Sequence, residues 1–296
     1  MGTPALVLGG GGPVGVAWET GLVAGLEEEG VRLADAGFIL GTSAGSIVGS
    51  QVALGRSPHE MLETQLTLEA VERPQLRSIR GQIDLGGLMN HFRKLYAGEL
   101  SLHQFRADVG AFALAADTMS EEEWLATFGS VADLTTWPDR PFACTAIDTA
   151  DGRFVTWDRD SGVPIGLAVA SSCAVPGVFP PVTIDGRRYM DGGIGSTTNA
   201  TLATGFDRVV IVSVTGGASR TAAANPELAA AVHERFEREL QDVRDGGSEV
   251  ELIVPDDTSR EVMGMNLMDG SRRAEIAEVG LRQGRAEAAR LRGFWK

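Results

Sequence analysis

The chain has 296 residues, of which 43% are hydrophobic and 22% charged, and it carries a formal net charge of −14. That balance fits a globular protein of one large or two small domains. The acidic excess argues against nucleic acid as a partner and against attachment to anionic lipid by charge. The two cysteines, Cys144 and Cys173, make neither a disulfide framework nor a metal-ligand spacing. Both stand in apolar runs and read as buried free thiols in a reducing cytosol. The opening MGTPALVLGGGG enters a strand with no basic segment before it, and there is no apolar run of about 18 residues. Neither a secretory leader nor a membrane-spanning helix is therefore expected, and a cytoplasmic location is.

Pro4–Leu8 is apolar throughout, as in a central parallel strand. Gly9–Gly12, Pro13, Val14 and Gly15 follow. Trp18, Leu22 and Leu26 then recur every four residues, predicting an amphipathic helix that ends at Gly30. The acidic run Glu27–Glu29 closes it at the end the helix dipole disfavours. Gly10-x-Gly12-x-x-Gly15 also matches a dinucleotide fingerprint, which needs an acid about 20 residues on, at the end of the second strand. That strand ends in Leu40-Gly41-Thr42. The loop reads better as an oxyanion site, where glycines let backbone N–H groups approach a ligand.

Phe38–Ser50, FILGTSAGSIVGS, holds Gly41-x-Ser43-x-Gly45 between a short apolar strand and a helix of small and apolar residues. A sharp strand-to-helix turn around a serine lifts its hydroxyl clear of the backbone, and the helix N-terminus behind it favours an anion. Between about residues 57 and 138 the pattern turns helical. Ser57-Pro58 starts a helix bearing Met61, Leu62, Leu66 and Leu68, and Leu85–Leu95 is amphipathic. Ser101 caps Leu102–Ala115, and Ser120-Glu121-Glu122-Glu123 forms a capping box before Trp124, Leu125 and Phe128. The stretch reads as an inserted helical layer whose apolar stripes are core, and a lid over the site is one hypothesis for it. Strands follow at Pro141–Ile147 and Arg153–Trp157, joined at Asp151-Gly152, then a helix over Pro164–Ser172. Val178–Ile184 and Arg187–Met190 flank the hairpin signal Asp185-Gly186, and Asp191-Gly192-Gly193 comes next. Strands at Phe206–Val214 and Glu249–Val254, a polar loop at Gly216–Asn225, and helices at Pro226–Val243 and Ser271–Leu291 complete the pattern. Alternating strands and helices predict one α/β domain over 1–296 with a mostly parallel sheet.

A serine nucleophile needs a neighbour to take its proton. His59, His91, His103 and His233 all sit in helical patterns and read as ordinary helix histidines. Asp191 instead ends a strand before two glycines. Its ordinary pKa of about 3.9 makes it a poor base unless a desolvated site raises it.

The glycine loop Gly10–Gly15, Gly41-Thr42-Ser43-Ala44-Gly45, the block Ser171–Val182 (SSCAVPGVFPPV) and Asp191-Gly192-Gly193 stand in that order. Together they closely resemble the patatin-like phospholipase family over about Ala5 to Ala203. The resemblance implies a three-layer α/β/α fold and a Ser–Asp dyad without histidine. Ser43 would be the nucleophile, Asp191 the base, and the N–H groups of Gly10, Gly11 and Gly12 the oxyanion hole. Gly15, Gly41, Gly45, Gly192 and Gly193 would support the motifs. It also implies a lipid or other acyl-ester substrate, an acyl-serine intermediate, and no metal or cofactor. Contact with a membrane surface would be transient and come from the helical insert. Many family members carry Arg or Lys where this chain has Val14, which leaves ester hydrolysis better supported than a phospholipid preference. A non-catalytic lipid- or protein-binding regulator on the same fold is the alternative.

Overall fold

The computed structural model describes residues 2, 4–67, 85–128, 135–216 and 226–295. Leu68 and the polar loop after Gly216 lie outside the described residues. In chain order the described elements begin with β1 (Ala5–Leu8), α1 (Gly12–Glu28), β2 (Phe38–Gly41), α2 (Ala44–Ala53) and α3 (Pro58–Thr67). Next come α4 (Leu85–Tyr96), α5 (Leu102–Ala115), α6 (Glu121–Ala126), β3 (Phe142–Asp148), β4 (Phe154–Trp157) and α7 (Ile165–Ser172). The rest are β5 (Val182–Ile184), β6 (Arg187–Asp191), β7 (Arg208–Val212), α8 (Pro226–Asp245), β8 (Glu249–Ile253), α9 (Asp257–Met263) and α10 (Arg273–Trp295). By internal packing the chain forms two compact units, one of Met1–Val71, Pro138–Ala143 and Thr197–Lys296, the other of Glu72–Trp137 and Cys144–Ser196.

The first unit carries the parallel strands. β1 pairs in parallel with β2 and with β7, and β7 with β8. Alternation along these strands separates two faces. Ala5, Val7, Leu40, Val209 and Ile211 pack with Phe236, Leu240 and Val243 of α8. On the other face Leu8 and Ile39 meet α2, so closely that a Cβ on Gly49 would lie 3.2 Å from the Ile39 side chain. Helices thus cover both faces of this unit's sheet, the arrangement a parallel sheet requires.

The amphipathic reading of α1 is corrected by the structure. Every residue from Val14 to Leu26 except Val16 is buried, including Glu19 and Thr20. The helix is covered on more sides than its apolar stripe, because α2, α3 and α10 all pack on it. The contact with α10 is a seam of glycines. A Cβ on Gly21 would fall 2.0 Å from the Ala277 carbonyl oxygen, and one on Gly25 2.2 Å from that of Leu281. Reciprocally, Cβ atoms on Gly280 and Gly284 would fall 2.3 Å from the Trp18 and Leu22 oxygens. At one edge of the seam Trp18 Nε1 donates to Gln283 Oε1 (3.3 Å), which also accepts the Asp256 N–H and the Ser259 hydroxyl, each at 3.0 Å. The acidic run at the end of α1 also finds its reason here. Arg285 and Arg292 of α10 pair with Glu28 and Glu29, and the Arg285 hydrogen bond holds the Glu28 carboxyl below its ordinary range.

The second unit carries antiparallel strands: β3 pairs with β4 and β6, and β6 with β5. Its core joins Phe105, Val109 and Ala113 of α5 to Ile147, Met190 and Ile194. Trp124 of α6 stacks on Phe179 with ring centroids 3.9 Å apart. The apolar stripes of α5 and α6 are therefore core, as their spacing predicts, and their buried side chains are not available to a lipid surface. Asp185 and Gly186, at φ 49° and 76°, make the expected tight turn between β5 and β6. β5 starts later than expected because Pro180 and Pro181 have no N–H to pair. Cys144 and Cys173 are buried free thiols, and burial pushes the Cys144 thiol well above its ordinary value. No described helix is long and apolar enough to cross a membrane.

Candidate active site

Ser43 sits between β2 and α2 at φ 51°, ψ −116°, with 7% of its surface exposed. A non-glycine residue at positive φ outside the left-handed helical region is strained and is held only by its surroundings. Bonds to its carbonyl and to the backbone of its neighbours help to hold it. The Ser43 carbonyl accepts the Ser46 N–H at 2.9 Å and the Ser46 hydroxyl at 2.6 Å. Thr42 N–H donates to the Leu8 carbonyl at 3.0 Å, and Gly45 N–H lies 3.0 Å from the Gly9 oxygen and 2.9 Å from that of Thr42. The two flanking glycines allow strand and helix to come this close. A Cβ on Gly45 would lie 2.0 Å from the Leu8 carbonyl oxygen, and one on Gly41 2.5 Å from that of Gly45.

The glycine loop lies beside this turn. A Cβ on Gly10 would come 3.3 Å from Ser43 Cβ, so the Gly10 backbone borders the serine directly. Gly15 is wedged against Ala44, where an added Cβ would lie 3.1 Å from the Ala44 Cβ. The three expected oxyanion donors are not equivalent. Gly10 N–H already donates to the Thr197 carbonyl at 2.8 Å. Gly11 and Gly12 N–H have no acceptor among the described residues. Gly12 has φ 57°, and a Cβ there would meet the Leu267 carbonyl oxygen at 2.7 Å. Val14 donates its N–H to that same Leu267 oxygen at 3.2 Å.

Asp191 lies in the second unit, at the end of β6, with 4% of its surface exposed. Its N–H donates to the Ala174 carbonyl at 2.9 Å, and Gly193 N–H donates to its Oδ1 at 2.7 Å. Gly192 presses on β3, where a Cβ would fall 2.2 Å from the Thr145 hydroxyl. Both glycines of the Asp-Gly-Gly motif thus shape the turn that holds this carboxylate. Ala174, whose carbonyl anchors Asp191, belongs to the SSCAVPGVFPPV block. His59, His91, His103 and His233 all lie in helices, as their patterns predict. No group of three or more His, Cys, Asp or Glu side chains is arranged to hold a metal among the described residues.

Three residues that the sequence reading passed over belong to this neighbourhood. Asn199 and Thr42 bond behind the serine turn, Asn199 Nδ2 donating to Thr42 Oγ1 at 3.1 Å. A lone asparagine among small polar residues gave little warning of this, apart from the tolerance of Asn for the left-handed conformation it adopts (φ 51°, ψ 33°). The third is Glu19, fully buried on α1, with no hydrogen-bond partner for either carboxyl oxygen among the described residues. An acid in the middle of an apolar helix was a signal available in the sequence. Burial pushes its pKa well above the ordinary 4.5, and the nearby Gly9 N–H opposes this only in part. The native state therefore keeps a proton that the unfolded chain loses as pH rises through 4.5, so this residue subtracts stability as pH rises from there until it ionises within the fold. Glu19→Gln is expected to gain in melting temperature over the wild type as pH rises above 4.5, with the difference shrinking towards about pH 4. Melting curves of both proteins across that range check it.

The turn is a sharp strand-to-helix turn around a serine, carried on the parallel strands of an α/β sheet. The patatin-like phospholipase family model matches residues 6–204, and the chain belongs to that family. Uncharacterized NTE family proteins of Mycobacterium bovis and Mycobacterium tuberculosis are 30% identical to it over 190 residues, which cover 64% of this chain and 42% of theirs. The chain thus matches less than half the length of these curated relatives. Among solved structures, VipD from Legionella pneumophila aligns over 99% of this chain and 75% of its own, at 11% identity and a TM-score of 0.38. The type III effector protein ExoU aligns over 98% and 53%, at 14% identity and a TM-score of 0.42.

Proposed function

We propose that this protein is a serine acyl-ester hydrolase acting on lipids, with Ser43 as nucleophile and Asp191 as general base. Membership of the patatin-like phospholipase family supports lipid acyl hydrolysis in general. The observation that carries the finer reading is Ser43 itself, strained at φ 51°, ψ −116° at the head of α2, with the Gly10 backbone against it. In the first step Ser43 Oγ attacks the acyl carbonyl carbon while Asp191 takes its proton. The carbonyl oxygen becomes an oxyanion and accepts hydrogen bonds from Gly11 and Gly12 N–H, each worth about 3 kcal/mol in the transition state. Gly10, bonded to Thr197, keeps the loop in place instead of donating. The C–O bond breaks, and the leaving alcohol takes the proton from Asp191. Water then repeats the sequence on the acyl-serine, with Asp191 again as base, releasing the fatty acid and restoring the hydroxyl. The N-terminal end of α2 favours the developing negative charge throughout.

The test is a fluorophosphonate probe with p-nitrophenyl esters and lysophospholipids as substrates. The wild type is expected to be labelled on Ser43 and to turn over acyl esters. Asp191→Asn is expected to lower both the labelling rate and kcat by about two to four orders of magnitude. A folded wild type that neither labels nor turns over any ester, yet binds lipid, would instead be a binding protein.

A further inference from the structure

Four consecutive residues of the first unit, Thr197, Thr198, Asn199 and Ala200, form a bracket behind the candidate site. The Thr197 carbonyl accepts Gly10 N–H at 2.8 Å and so holds the glycine loop. Asn199 holds the serine turn through Thr42, the residue directly before Ser43. Thr42 is itself fixed by its N–H to the Leu8 carbonyl and by Gly45 N–H to its own carbonyl. Thr42, Thr198 and Ala200 are fully buried and Asn199 is 6% exposed, so these bonds are shielded from competing water. A side chain of α8 anchors the bracket from outside. Glu239, within α8, accepts the Thr198 hydroxyl at 2.9 Å and the Ala200 N–H through the same oxygen, Oε1. These two bonds grip the residues on either side of Asn199. Asn199 stands in the left-handed conformation, which exposes its backbone to drift unless its neighbours are pinned.

We propose that Glu239 is a positioning residue for the active site. Through Thr198 and Ala200 it fixes Asn199 and Thr197, and through them it sets the serine turn and the glycine loop relative to each other. Glu239 lies outside the segment that matches the family model, residues 6–204, so the device belongs to this chain's own C-terminal part. The catalytic consequence rests on the Ser43 reading above; the positioning itself does not. A loop displaced by about 1 Å lowers rates by about 100-fold without removing any reacting group.

The experiment compares Glu239→Ala, which removes the acceptor, with Glu239→Gln, which keeps an acceptor oxygen of the same reach. Two readouts are taken. The first is kcat and KM on a p-nitrophenyl ester, with the rate of fluorophosphonate labelling. The second is hydrogen exchange of peptides covering residues 7–20 and 38–50, against α3 as an internal reference. Glu239→Ala is expected to lower kcat and labelling by about 10- to 100-fold with KM changed less than about 3-fold, and to speed exchange in both peptides but not in α3. Glu239→Gln is expected to restore both. Thr198→Val removes one of the two bonds without changing shape; if Glu239→Ala does not fold, it is expected to give the same pattern in weaker form. Unchanged kcat and exchange in the folded variants overturn the proposal. So does a uniform rise in exchange that includes α3, which marks a purely structural role. If the wild type is never labelled while exchange still responds in the two peptides, the catalytic reading falls and the positioning stands.

Discussion

Ser43→Ala is expected to abolish fluorophosphonate labelling and to lower kcat on acyl esters by about three orders of magnitude or more, with the melting temperature within a few degrees of the wild type. The expectation of a preserved fold comes from how the turn is built. Its structural hydrogen bonds pass through the Ser43 carbonyl and through Thr42 and Gly45, and the Ser43 side chain makes no capping bond to α2. Alanine meets the same strain at φ 51° as serine does, so the substitution removes the hydroxyl without changing the backbone that the turn demands. The nearest rival nucleophile is Ser46, whose hydroxyl is bonded to the Ser43 carbonyl at 2.6 Å. Mass spectrometry of the labelled peptide separates the two. A Ser43→Ala protein that is folded and still labelled at the wild-type rate would place the chemistry elsewhere.

The second large effect is expected at the contact of α1 with α10. Gly25→Leu or Gly284→Val would drive a side chain into backbone that lies 2.2–2.3 Å from the added Cβ. Backbone in two packed helices cannot step aside as a flexible side chain can. Overpacking of an ordinary core costs about 1–3 kcal/mol, and here the helices must separate, so a loss of about 3 kcal/mol or more is expected, enough to leave a marginally stable domain largely unfolded. Gly293 on α10 is the control. A Cβ there meets nothing within 4 Å, so Gly293→Ala is expected to stabilise by up to about 1 kcal/mol by relieving the helix of a glycine. Urea unfolding of the three variants against the wild type measures both signs. If Gly293→Ala and Gly284→Val behaved alike, the seam would not be the tight contact described.

How far the sequence speaks depends on whether a feature is local. The strand, turn and helix around Ser43 were legible because apolar run, glycines and small residues follow one another within a dozen positions. The Asp185-Gly186 turn and the capping boxes at Ser101 and Ser120 were legible for the same reason, since each signal is complete within a few residues. Features made by distant partners were not. The full burial of α1 depends on glycines of α10 more than 250 positions away, and nothing in a four-residue periodicity announces them. The acidic run Glu27–Glu29 looked misplaced until Arg285 and Arg292 met it. α9 was missed because its seven residues carry little periodicity; its start is marked by Asp256, whose carboxylate accepts the Ser259 N–H at 2.7 Å. In the candidate site, the strand ends and the turn that carry the motif residues could be read from the sequence. That the Gly10 N–H is taken by the Thr197 carbonyl could not, because Thr197 lies far along the chain.

The segment that matches the family model stops at residue 204, yet α1, which leads directly out of the glycine loop, rests on Ala277–Arg285. Homology and foldability therefore have different limits in this protein. A module excised or grafted at the homology limit would retain every motif residue while exposing the main-chain groove at Gly21 and Gly25. Swaps between relatives would succeed only if the closing helix travelled with the motifs it supports.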